Sequence, residues 1–429
     1  MIGITKRTSK RRVLKASILS LAVGLGLTAC SNDYTVSYVY MITQGVQGAT
    51  NHSLINSYQV DYQSGFLYNM PDSPNDTGGR DGVAIVVAPN NLFLYTVNNF
   101  DSTVVEFAIG TDGKLYPQHT YNIAGSLPVA AAIDPAGKFL YVAYTYQTNP
   151  DGSQLYTTSN PGPGGITVFP IYPAPTKAGD PDQNSLGPPT TFPVGRNPVA
   201  IATSPTGNYV YLAEQDSASG ANLLGFTVTV VGSDPSTHLP IPKLTPMPGV
   251  TINSGNVPSF GFSSGPTPSG LLVDSSATHL YVTDKTLNQV ATYSIGPGGV
   301  LGPATITQTD AGPMGMSFDL SGKYLYVAAN IANAVDIYNI GANGVPVRST
   351  VQPAAQAGNG PTCVTVSGAP SNAHPTHAVY LYVSNSLSNT VTAEQLNEST
   401  GALNQILGTP FTGSELPACI VTAPALPLR

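Results

Sequence analysis

The chain has 429 residues, among them 44 Gly, 38 Pro and 23 Tyr, and only 9% of its residues are charged. Gly and Pro mark turns and break helices, whereas Tyr suits a half-buried pleated sheet. The formal net charge of −7 repels phosphate backbones, which excludes a nucleic-acid-binding protein. Because no long segment after residue 30 has apolar residues at helical spacing, the sequence predicts an all-β protein.

The N-terminal segment has the pattern of an export signal. The apolar run ASILSLAVGLGL follows six basic residues, which are Lys6, Arg7, Lys10, Arg11, Arg12 and Lys15. The run ends in LTAC, which resembles the bacterial lipoprotein box, in which the Cys carries lipid and becomes the mature N-terminus. We therefore predict a lipoprotein signal peptide over residues 1–29, a lipidated Cys30 and a tether over residues 30–35. The alternative is an ordinary signal peptide with an incidental Cys.

The predicted lipid on Cys30 would anchor the protein to a membrane of the bacterial cell envelope without spanning it. Ser31 follows the Cys and favours the outer membrane. Removal of residues 1–29 takes away six basic residues and no acidic ones, so the net charge of the mature chain becomes about −13. The sequence leaves open whether the protein faces the periplasm or the cell exterior.

A repeat occupies the rest of the chain. In residues 320–344, LSGKYLYVAANIANAVDIYNIGANG, two strands lie between three turns, and similar segments recur seven times. We align them on an anchor Tyr in the second strand of each unit, and these residues are Tyr38, Tyr95, Tyr141, Tyr211, Tyr281, Tyr326 and Tyr382. The shortest intervals, 46 and 45 residues, are long enough for four short strands and their turns.

Four antiparallel strands in each of seven units predict a seven-bladed β-propeller over residues 36–429. The alternative is an open β-solenoid, whose units are shorter. The first unit lacks an inner strand, but ELPACIVTAP near the C-terminus reads like the inner strands SLPVAAAIDP and RNPVAIATSP. We therefore expect the C-terminal strand to pair with residues 36–42 and complete blade one.

One position of each predicted inner strand always holds a small residue, which suits wedge-shaped blades that converge on an axis. These residues are Ala84, Ala130, Ala200, Gly270, Gly315, Cys363 and Cys419. Cys363 and Cys419 are thus equivalent residues of neighbouring blades seven and one. Two alternatives are open for them: a disulfide across the ring closure, or two buried free thiols.

The units LYVTDKTLNQVATYSI and LYVAANIANAVDIYNI resemble the YVTN repeats of bacterial surface propellers. The whole mature chain resembles the seven-bladed propeller lactonase family, which includes propeller-type 6-phosphogluconolactonases and fungal muconate cycloisomerases. The resemblance implies a fold more than an activity. In that family some inner strands begin with GPRH, and the next strand ends in YVxNE.

This chain departs from the family pattern at those positions. Where the family has Arg and His, this chain has Val129 and Ala130, Val199 and Ala200, Ser269 and Gly270, Met314 and Gly315, Thr362 and Cys363, and Ala418 and Cys419. None of these side chains acts as an acid, a base or a phosphate ligand. We therefore do not expect phosphogluconolactonase activity.

The loops before the inner strands and the turns after the anchor strands should share one face, which we call the top face. Charged residues concentrate there. We assign a hypothetical catalytic role to Arg196, Glu214 and Arg80, and a ligand-binding role to Asp81, Asn98, Asn99, Asp101, Asp216 and Asp284, with Lys285 and Glu415 nearby. With a bound water, such a set could hydrolyse an ester. The alternative is that Arg196 and Glu214 only pair at the ends of adjacent strands.

Other motifs are weaker. His374 and His377 are too sparse for a metal site, and the carboxylates of residues 71–82 lack a full Ca²⁺ loop pattern, so we predict no metal and no cofactor. The insertions 145–165, 172–189 and 231–267 are rich in Pro, Gly, Ser and Thr, and they either lack order or decorate the rims.

Two functional hypotheses follow. The first is a monomeric, lipid-anchored propeller that binds an envelope protein or a glycan through its top face. The second is a lactonase-like hydrolase that uses Arg196, Glu214 and Arg80.

Overall fold

The computed structural model describes residues 35–45, 51–149, 153, 155–173, 184–216, 220–253, 259–367 and 378–425, with the backbone alone for residues 216, 220 and 221. All of these residues belong to one compact unit, Thr35–Arg429. The predicted signal peptide, Cys30, Ser31, His374 and His377 lie outside the described residues.

The described residues form strands grouped in seven sheets. In chain order these are β1 (Thr35–Thr43), β2 (Leu54–Asp61), β3 (Leu67–Asn69) and β4 (Asn75–Asp76); β5 (Gly82–Val87), β6 (Phe93–Asn98), β7 (Thr103–Ile109) and β8 (Leu115–Asn122); β9 (Gly125–Ile133), β10 (Phe139–Gln147), β11 (Pro163–Pro170) and β12 (Thr190–Arg196); and β13 (Pro198–Thr203), β14 (Tyr209–Asp216), β15 (Gly220–Ser233), β16 (Pro240–Pro246) and β17 (Phe262–Ser263).

The remaining strands are β18 (Pro268–Val273), β19 (His279–Asp284), β20 (Gln289–Ile295) and β21 (Leu301–Gln308); β22 (Pro313–Phe318), β23 (Tyr324–Ala329), β24 (Ala334–Ile340), β25 (Pro346–Arg348) and β26 (Ala354–Gln356); β27 (Pro361–Val366), β28 (Val379–Asn385), β29 (Thr390–Leu396), β30 (Leu403–Gln405) and β31 (Phe411–Thr412); and β32 (Pro417–Pro424). A short 3₁₀ helix, Pro297–Gly299, is the one helix in the described ranges.

The seven sheets form a closed ring, so the predicted seven-bladed propeller is confirmed. The last strand, β32, pairs antiparallel with β1, with Tyr40 opposite Val421 and Thr43 opposite Pro417. Blade one therefore combines both ends of the propeller, as the sequence predicts. The innermost strands of the blades contact one another in ring order: β32, β5, β9, β13, β18, β22, β27 and again β32. They enclose the central channel.

The small residues of the inner strands lie where the next inner strand approaches. A Cβ on Gly270 would lie 2.7 Å from the carbonyl oxygen of Met314, and a Cβ on Gly315 would lie 2.8 Å from that of Thr362. A larger side chain would therefore push adjacent blades apart. At the same position of blades seven and one, Cys363 and Cys419 form a disulfide with a Cα–Cα distance of 5.0 Å.

Buried Tyr hydroxyls connect consecutive blades around the ring. The hydroxyl of Tyr281 donates to the carbonyl of Gly344 at 2.7 Å, and that of Tyr326 donates to the carbonyl of Gly401 at 3.0 Å. Tyr95, Tyr211 and Tyr382 make the equivalent bonds. The anchor Tyr thus fills the space between two blades with its ring while its hydroxyl finds a partner in the next blade.

In blade one the anchor is Tyr40 and not Tyr38. Tyr40 is fully buried, and its hydroxyl donates to the carbonyl of Gly113 in blade two at 2.7 Å, which is the bond of the other anchors. Tyr38 also lies between these blades, but its hydroxyl donates to the carbonyl of Thr111. Because Tyr38 and Tyr40 lie two residues apart on the same side of the strand, the alternation of the sequence does not separate them.

Part of the insertion 231–267 is regular structure and not an irregular loop. The 14-residue strand β15 pairs with β16 and, separately, with β17, and both of these strands lie inside the insertion. This extension belongs to the outer part of blade four. Within the described ranges no helix is long and apolar enough to cross a membrane.

Candidate functional site

The top face brings the ends of the second strands next to the starts of the innermost strands. The pairs in register are Gly82 with Asn98, Pro198 with Glu214, Pro268 with Asp284, and Pro361 with Asn385. The predicted site residues of blades two, four and five therefore lie at the same level of the propeller, around the mouth of the channel. Their side chains, however, have different partners.

Arg80 and Asp101 form an ion pair within blade two. The Nε of Arg80 donates to Oδ1 of Asp101 at 3.0 Å, and the backbone N of Arg80 donates to Oδ2 at 2.7 Å. The guanidinium hydrogen bond holds the pKa of Asp101 below its usual range. The same guanidinium stacks on the ring of Phe100, with 4.1 Å between the guanidinium carbon and the ring centroid. Arg80 is therefore held in place by the turn between β6 and β7 of the same blade.

Glu214 is fully buried at the junction of blades three and four. Its Oε1 accepts a hydrogen bond from Nδ2 of Asn222 at 3.3 Å, and its carboxylate packs directly against Gly195. Arg196, which follows Gly195, is the last residue of β12, so the fold brings Arg196 and Glu214 to the same junction. A buried carboxylate at the same junction as an arginine is chemically suited to hold a polar group or to transfer a proton, and such a combination is equally typical of a structural pair.

Asp284 forms its hydrogen bonds within its own blade. Its carboxylate is fully buried and accepts hydrogen bonds from the backbone N of Thr267 (2.9 Å), the Oγ1 of Thr267 (3.0 Å), and the backbone N of Thr286 (3.0 Å) and of Leu287 (2.8 Å). Such a carboxylate fixes two turns and has little capacity left for a ligand. We do not retain it in the candidate site.

Asn98 has the same structural function in blade two. Its Nδ2 donates to the carbonyl of Thr77 and to Oγ1 of Thr103, both at 3.3 Å, and a Cβ on Gly79 would lie 2.6 Å from that Nδ2. Gly358 packs on Asn385 in the same way, at 2.7 Å. Buried polar side chains at the ends of second strands therefore hold the segments that connect one blade to the next.

Asn99 bridges two blades at the channel mouth. Its Nδ2 donates to the carbonyl of Pro128, the residue at the mouth end of blade three, at 2.6 Å. Asn330, which the sequence analysis did not single out, makes the equivalent bond to the carbonyl of Pro361 at 3.0 Å. The signal for Asn330 was its position, one residue beyond the end of the second strand, where blade two has Asn99.

The described part of the channel wall has no acidic or basic side chain. Across the described innermost strands, β5, β9, β13, β18, β22, β27 and β32, no residue is Asp, Glu, His, Lys or Arg. Hydroxyl groups there are bonded to neighbouring strands: Oγ of Ser269 donates to the carbonyl of Pro313 at 2.7 Å, and Oγ1 of Thr422 donates to that of Val366 at 2.9 Å. These described strands therefore offer a charged ligand no ionic partner.

Asp81 differs from the other predicted site residues. It lies immediately before β5 at the channel mouth and is half-buried, with φ 58°. Its carboxylate makes no hydrogen bond or ion pair with any residue in the described part of the chain. Burial raises its pKa above the usual value for Asp. Of the described carboxylates that the sequence assigns a ligand-binding role, Asp81, Asp101 and Asp284, Asp81 is the one that no described residue engages.

The other predicted residues contribute less. Lys285 and Glu415 are exposed on the top face, and the described part of Asp216 is its backbone at the end of β14. We predicted that Arg80, Arg196 and Glu214 act as one catalytic set. In the structure, Arg80 lies in blade two, whereas Arg196 and Glu214 lie at the junction of blades three and four.

A second titratable cluster, which the sequence analysis missed, lies between blades five and six. Nη2 of Arg348 donates to Oδ2 of Asp310 at 2.8 Å and to Oδ1 of Asp336 at 3.0 Å. Burial raises the pKa of Asp336 to about 7. Asp310 lies in the connector between blades five and six, Asp336 in β24 and Arg348 in β25. Because they are distant in the sequence, no local motif indicates the cluster. Because the backbone N of Asp310 also donates to Asp336 at 2.7 Å, the cluster mainly holds this connector.

Comparison with known proteins gives a family and a fold. A family model described as lactonase, 7-bladed beta-propeller, matches residues 53–149 and 250–366. No curated protein matches the sequence. Among solved structures, the chain is similar to a protein from Bacteroides fragilis provisionally assigned as a 6-phosphogluconolactonase, with 17% identity, a TM-score of 0.64 and coverage of 91% of this chain and 99% of that chain. It is also similar to the periplasmic gluconolactonase PpgL of Pseudomonas aeruginosa, with 15% identity, a TM-score of 0.62 and the same coverage.

Identities this low show a common fold and transfer no activity. The family match, the closed ring of seven sheets and the repeated Tyr-centred strands agree with one another. The chain therefore belongs to the seven-bladed β-propeller lactonase family.

Proposed function

We propose that this chain is a lipid-anchored propeller of the bacterial cell envelope that binds a partner protein through its top face. The observation that carries the proposal is the contrast between the channel and its rim. The described channel wall lacks ionisable side chains, and the charged groups Arg80, Asp101 and Asp284 are used within the fold. The turns around the mouth, in contrast, expose large apolar side chains.

Four of these turns have an exposed apolar residue shortly after the end of the second strand. They are Phe100, Leu287, Ile331 and Leu387, in blades two, five, six and seven, and we call them the apolar rim. Exposed aliphatic and aromatic side chains around one opening are typical of protein-binding surfaces. Aliphatic side chains suit a polypeptide better than a glycan, which needs hydrogen bonds and flat aromatic rings.

The predicted lipid would suit this role. The first described strand, β1, begins at Thr35 on the side of the propeller opposite the top face, where Ala425 N bonds to the carbonyl of Val36. A lipid on Cys30 would connect to this end through only five residues, which span at most about 18 Å. The apolar rim would then be directed away from the bilayer and toward partners. Replacing Cys30 by Ser should release the protein from the membrane fraction.

The test of partner binding is site-specific photo-cross-linking in intact cells of the host bacterium. A photoreactive residue at Ile331 samples the rim, and one at Leu320, which is 53% exposed on the opposite face, is the matched control. We expect a discrete adduct from position 331 that excess purified propeller suppresses and that position 320 does not give. Identical adduct patterns at both positions would refute top-face binding.

The family match favours lactone hydrolysis as a second candidate function, with Arg196 and Glu214, which the fold brings to one junction of blades, as its candidate groups. The purified full chain should then hydrolyse unphosphorylated sugar lactones or aromatic lactones, and Arg196→Ala and Glu214→Gln should abolish turnover while the protein remains folded. No turnover above buffer across the panel would reject lactone hydrolysis, and partner binding would remain as the proposed function.

A further inference from the structure

Asp81, immediately before β5 at the mouth of the channel, is a carboxylate to which the described residues give no partner. The nearest cation along the chain, Arg80, is engaged by Asp101 and stacked on Phe100. The carboxylate of Asp81 is half-buried and has no hydrogen bond or ion pair within the described ranges. Partly desolvating a carboxylate without giving it a partner costs free energy, so such a group is a candidate for binding a cation from outside.

The residues equivalent to Asp81 in the two neighbouring blades are apolar. The equivalent residue of blade one is Leu416 and that of blade three is Leu127, and the innermost strands of these blades, β32 and β9, flank β5. Leu416 and Leu127 both have positive φ values, 51° and 56°. The same position also has a positive φ at Asp81, Asn197, Gly312 and Gly360, so this conformation belongs to the repeated turn before the inner strand. Both Leu side chains are apolar, and burial raises the pKa of Asp81.

The apolar rim lies on the same face, in blades two, five, six and seven. Its members are between 46% and 71% exposed, whereas many aliphatic side chains of the strands are fully buried. Two of them lie directly over glycines of the mouth: a Cβ on Gly312 would lie 2.7 Å from Ile331, and one on Gly360 would lie 2.6 Å from Leu387. Among the described residues, the top face thus combines a half-buried carboxylate without a partner, Asp81, with four exposed apolar side chains, and the exposed Glu415 and Lys285 lie on the same face.

We propose that the mouth of the channel receives a Lys or Arg side chain from an otherwise apolar segment of the partner protein, with Asp81 as its counter-ion. This inference rests on the proposed function and specifies the chemistry of the partner. The net negative charge of the chain favours a basic partner, and it disfavours acidic peptides and sugar acids. The apolar rim would contact the residues that flank the basic one, and it would exclude water from the ion pair.

The test compares two synthetic peptides that differ only in charge, Ac-Leu-Lys-Leu-NH2 and Ac-Leu-norleucine-Leu-NH2, titrated calorimetrically into the purified full chain. We expect the Lys peptide to bind about tenfold more tightly, since a hydrogen bond to a charged group contributes roughly that factor. Asp81→Asn should remove this preference. Asn tolerates positive φ, so this variant keeps the backbone of the turn.

Two further variants separate charge from contact. Glu398→Gln removes an exposed carboxylate from the opposite face and should leave the preference for the Lys peptide unchanged. The double variant Ile331→Ser, Leu387→Ser should weaken both peptides to a similar extent. Melting temperatures of all variants show whether each is folded.

Equal affinity of the wild-type chain for both peptides would overturn the assignment of Asp81, and so would a tenfold preference that persists in Asp81→Asn. Failure of both peptides to bind saturably would also overturn it. None of these results decides the proposed function, because the adduct at position 331 in cells depends on the natural partner and not on a tripeptide.

Discussion

Asp284 and Asp81 are two carboxylates on the same face of one propeller, and the fold uses them in opposite ways. Asp284, at the end of β19, is fully buried and accepts four hydrogen bonds from its own blade. Asp81, at the start of β5, is half-buried and accepts none from the described residues. The comparison teaches that polarity at a strand end does not identify a binding group. The number of hydrogen bonds that the fold itself supplies is the better guide.

Removing the carboxylate of Asp284 should cause the largest loss of stability. Asp284→Ala would leave the backbone N–H groups of Thr267, Thr286 and Leu287 without their acceptor, and we expect the free energy of unfolding to fall by about 3–4 kcal/mol. Urea denaturation measures this change. Asp81→Asn is the matched control and should change stability by less than about 1 kcal/mol. Similar losses in the two variants would abolish the distinction between the two carboxylates.

Glu394 extends the comparison to a carboxylate that is buried and also lacks a partner. It is 1% exposed in β29, and neither carboxylate oxygen has a hydrogen bond within the described residues. Burial raises its pKa from 4.5 to about 7. A carboxyl with a raised pKa in the folded state stabilises the fold fully below pH 4.5, and this stabilisation is lost as the pH rises through 7.

Glu394→Gln should therefore remove a pH dependence. We expect the free energy of unfolding of the variant, relative to that of the wild-type chain, to rise by roughly 2–3 kcal/mol from pH 5 to pH 8. One pKa unit corresponds to about 1.4 kcal/mol. Denaturation curves at the two pH values measure it. Gln395→Glu places a charge at the adjacent, exposed residue of β29 and should add no such dependence. A wild-type chain whose stability relative to Glu394→Gln is constant over this range would contradict the prediction.

Much of the fold could be predicted from the sequence because the same pattern of strands and turns recurs seven times. The Tyr-centred strand, the Gly turns and the small residue of each inner strand recur, and ELPACIVTAP repeats the inner-strand pattern where the ring must close. The choice of Tyr38 as the first anchor was wrong. A shift of two residues keeps the same side chains on the same side of the strand, so only the contact of Tyr40 with Gly113 identifies the register.

The candidate site could be predicted only in part. The sequence placed Asp81, Asn98 and Asp284 correctly on the top face, because all three lie at strand ends. It could not show that Asn98 and Asp284 are used by connectors, since Gly79 and Gly265, which pack on them, come from segments between blades. The apolar rim was visible in the turns as Phe100, Leu287, Ile331 and Leu387, but its exposure depends on what the neighbouring blades leave uncovered.

The Tyr hydroxyls between blades allow a smaller and more selective test. Tyr326→Phe leaves the carbonyl of Gly401 without its buried donor, and we expect a loss of about 1 kcal/mol. Tyr141 occupies the same position in blade three, but its buried hydroxyl has no partner within the described residues. Tyr141→Phe should therefore be neutral or slightly stabilising. Thermal unfolding of both variants measures the two losses of stability. Equal losses would show that the hydrogen bond from Tyr326 to Gly401 does not stabilise the fold.

The apolar rim should give the smallest change in stability and a clear change in binding. Ile331 and Leu387 are 62% and 71% exposed, so replacing each by Ser should change the free energy of unfolding by less than about 0.5 kcal/mol. The same changes should suppress the adduct that a photoreactive residue at Phe100 forms in cells. Leu320→Ser, on the opposite face, should affect neither. A rim variant that loses stability as Asp284→Ala does would mean that the rim belongs to the structural set, and the proposal of a partner surface would then have no basis.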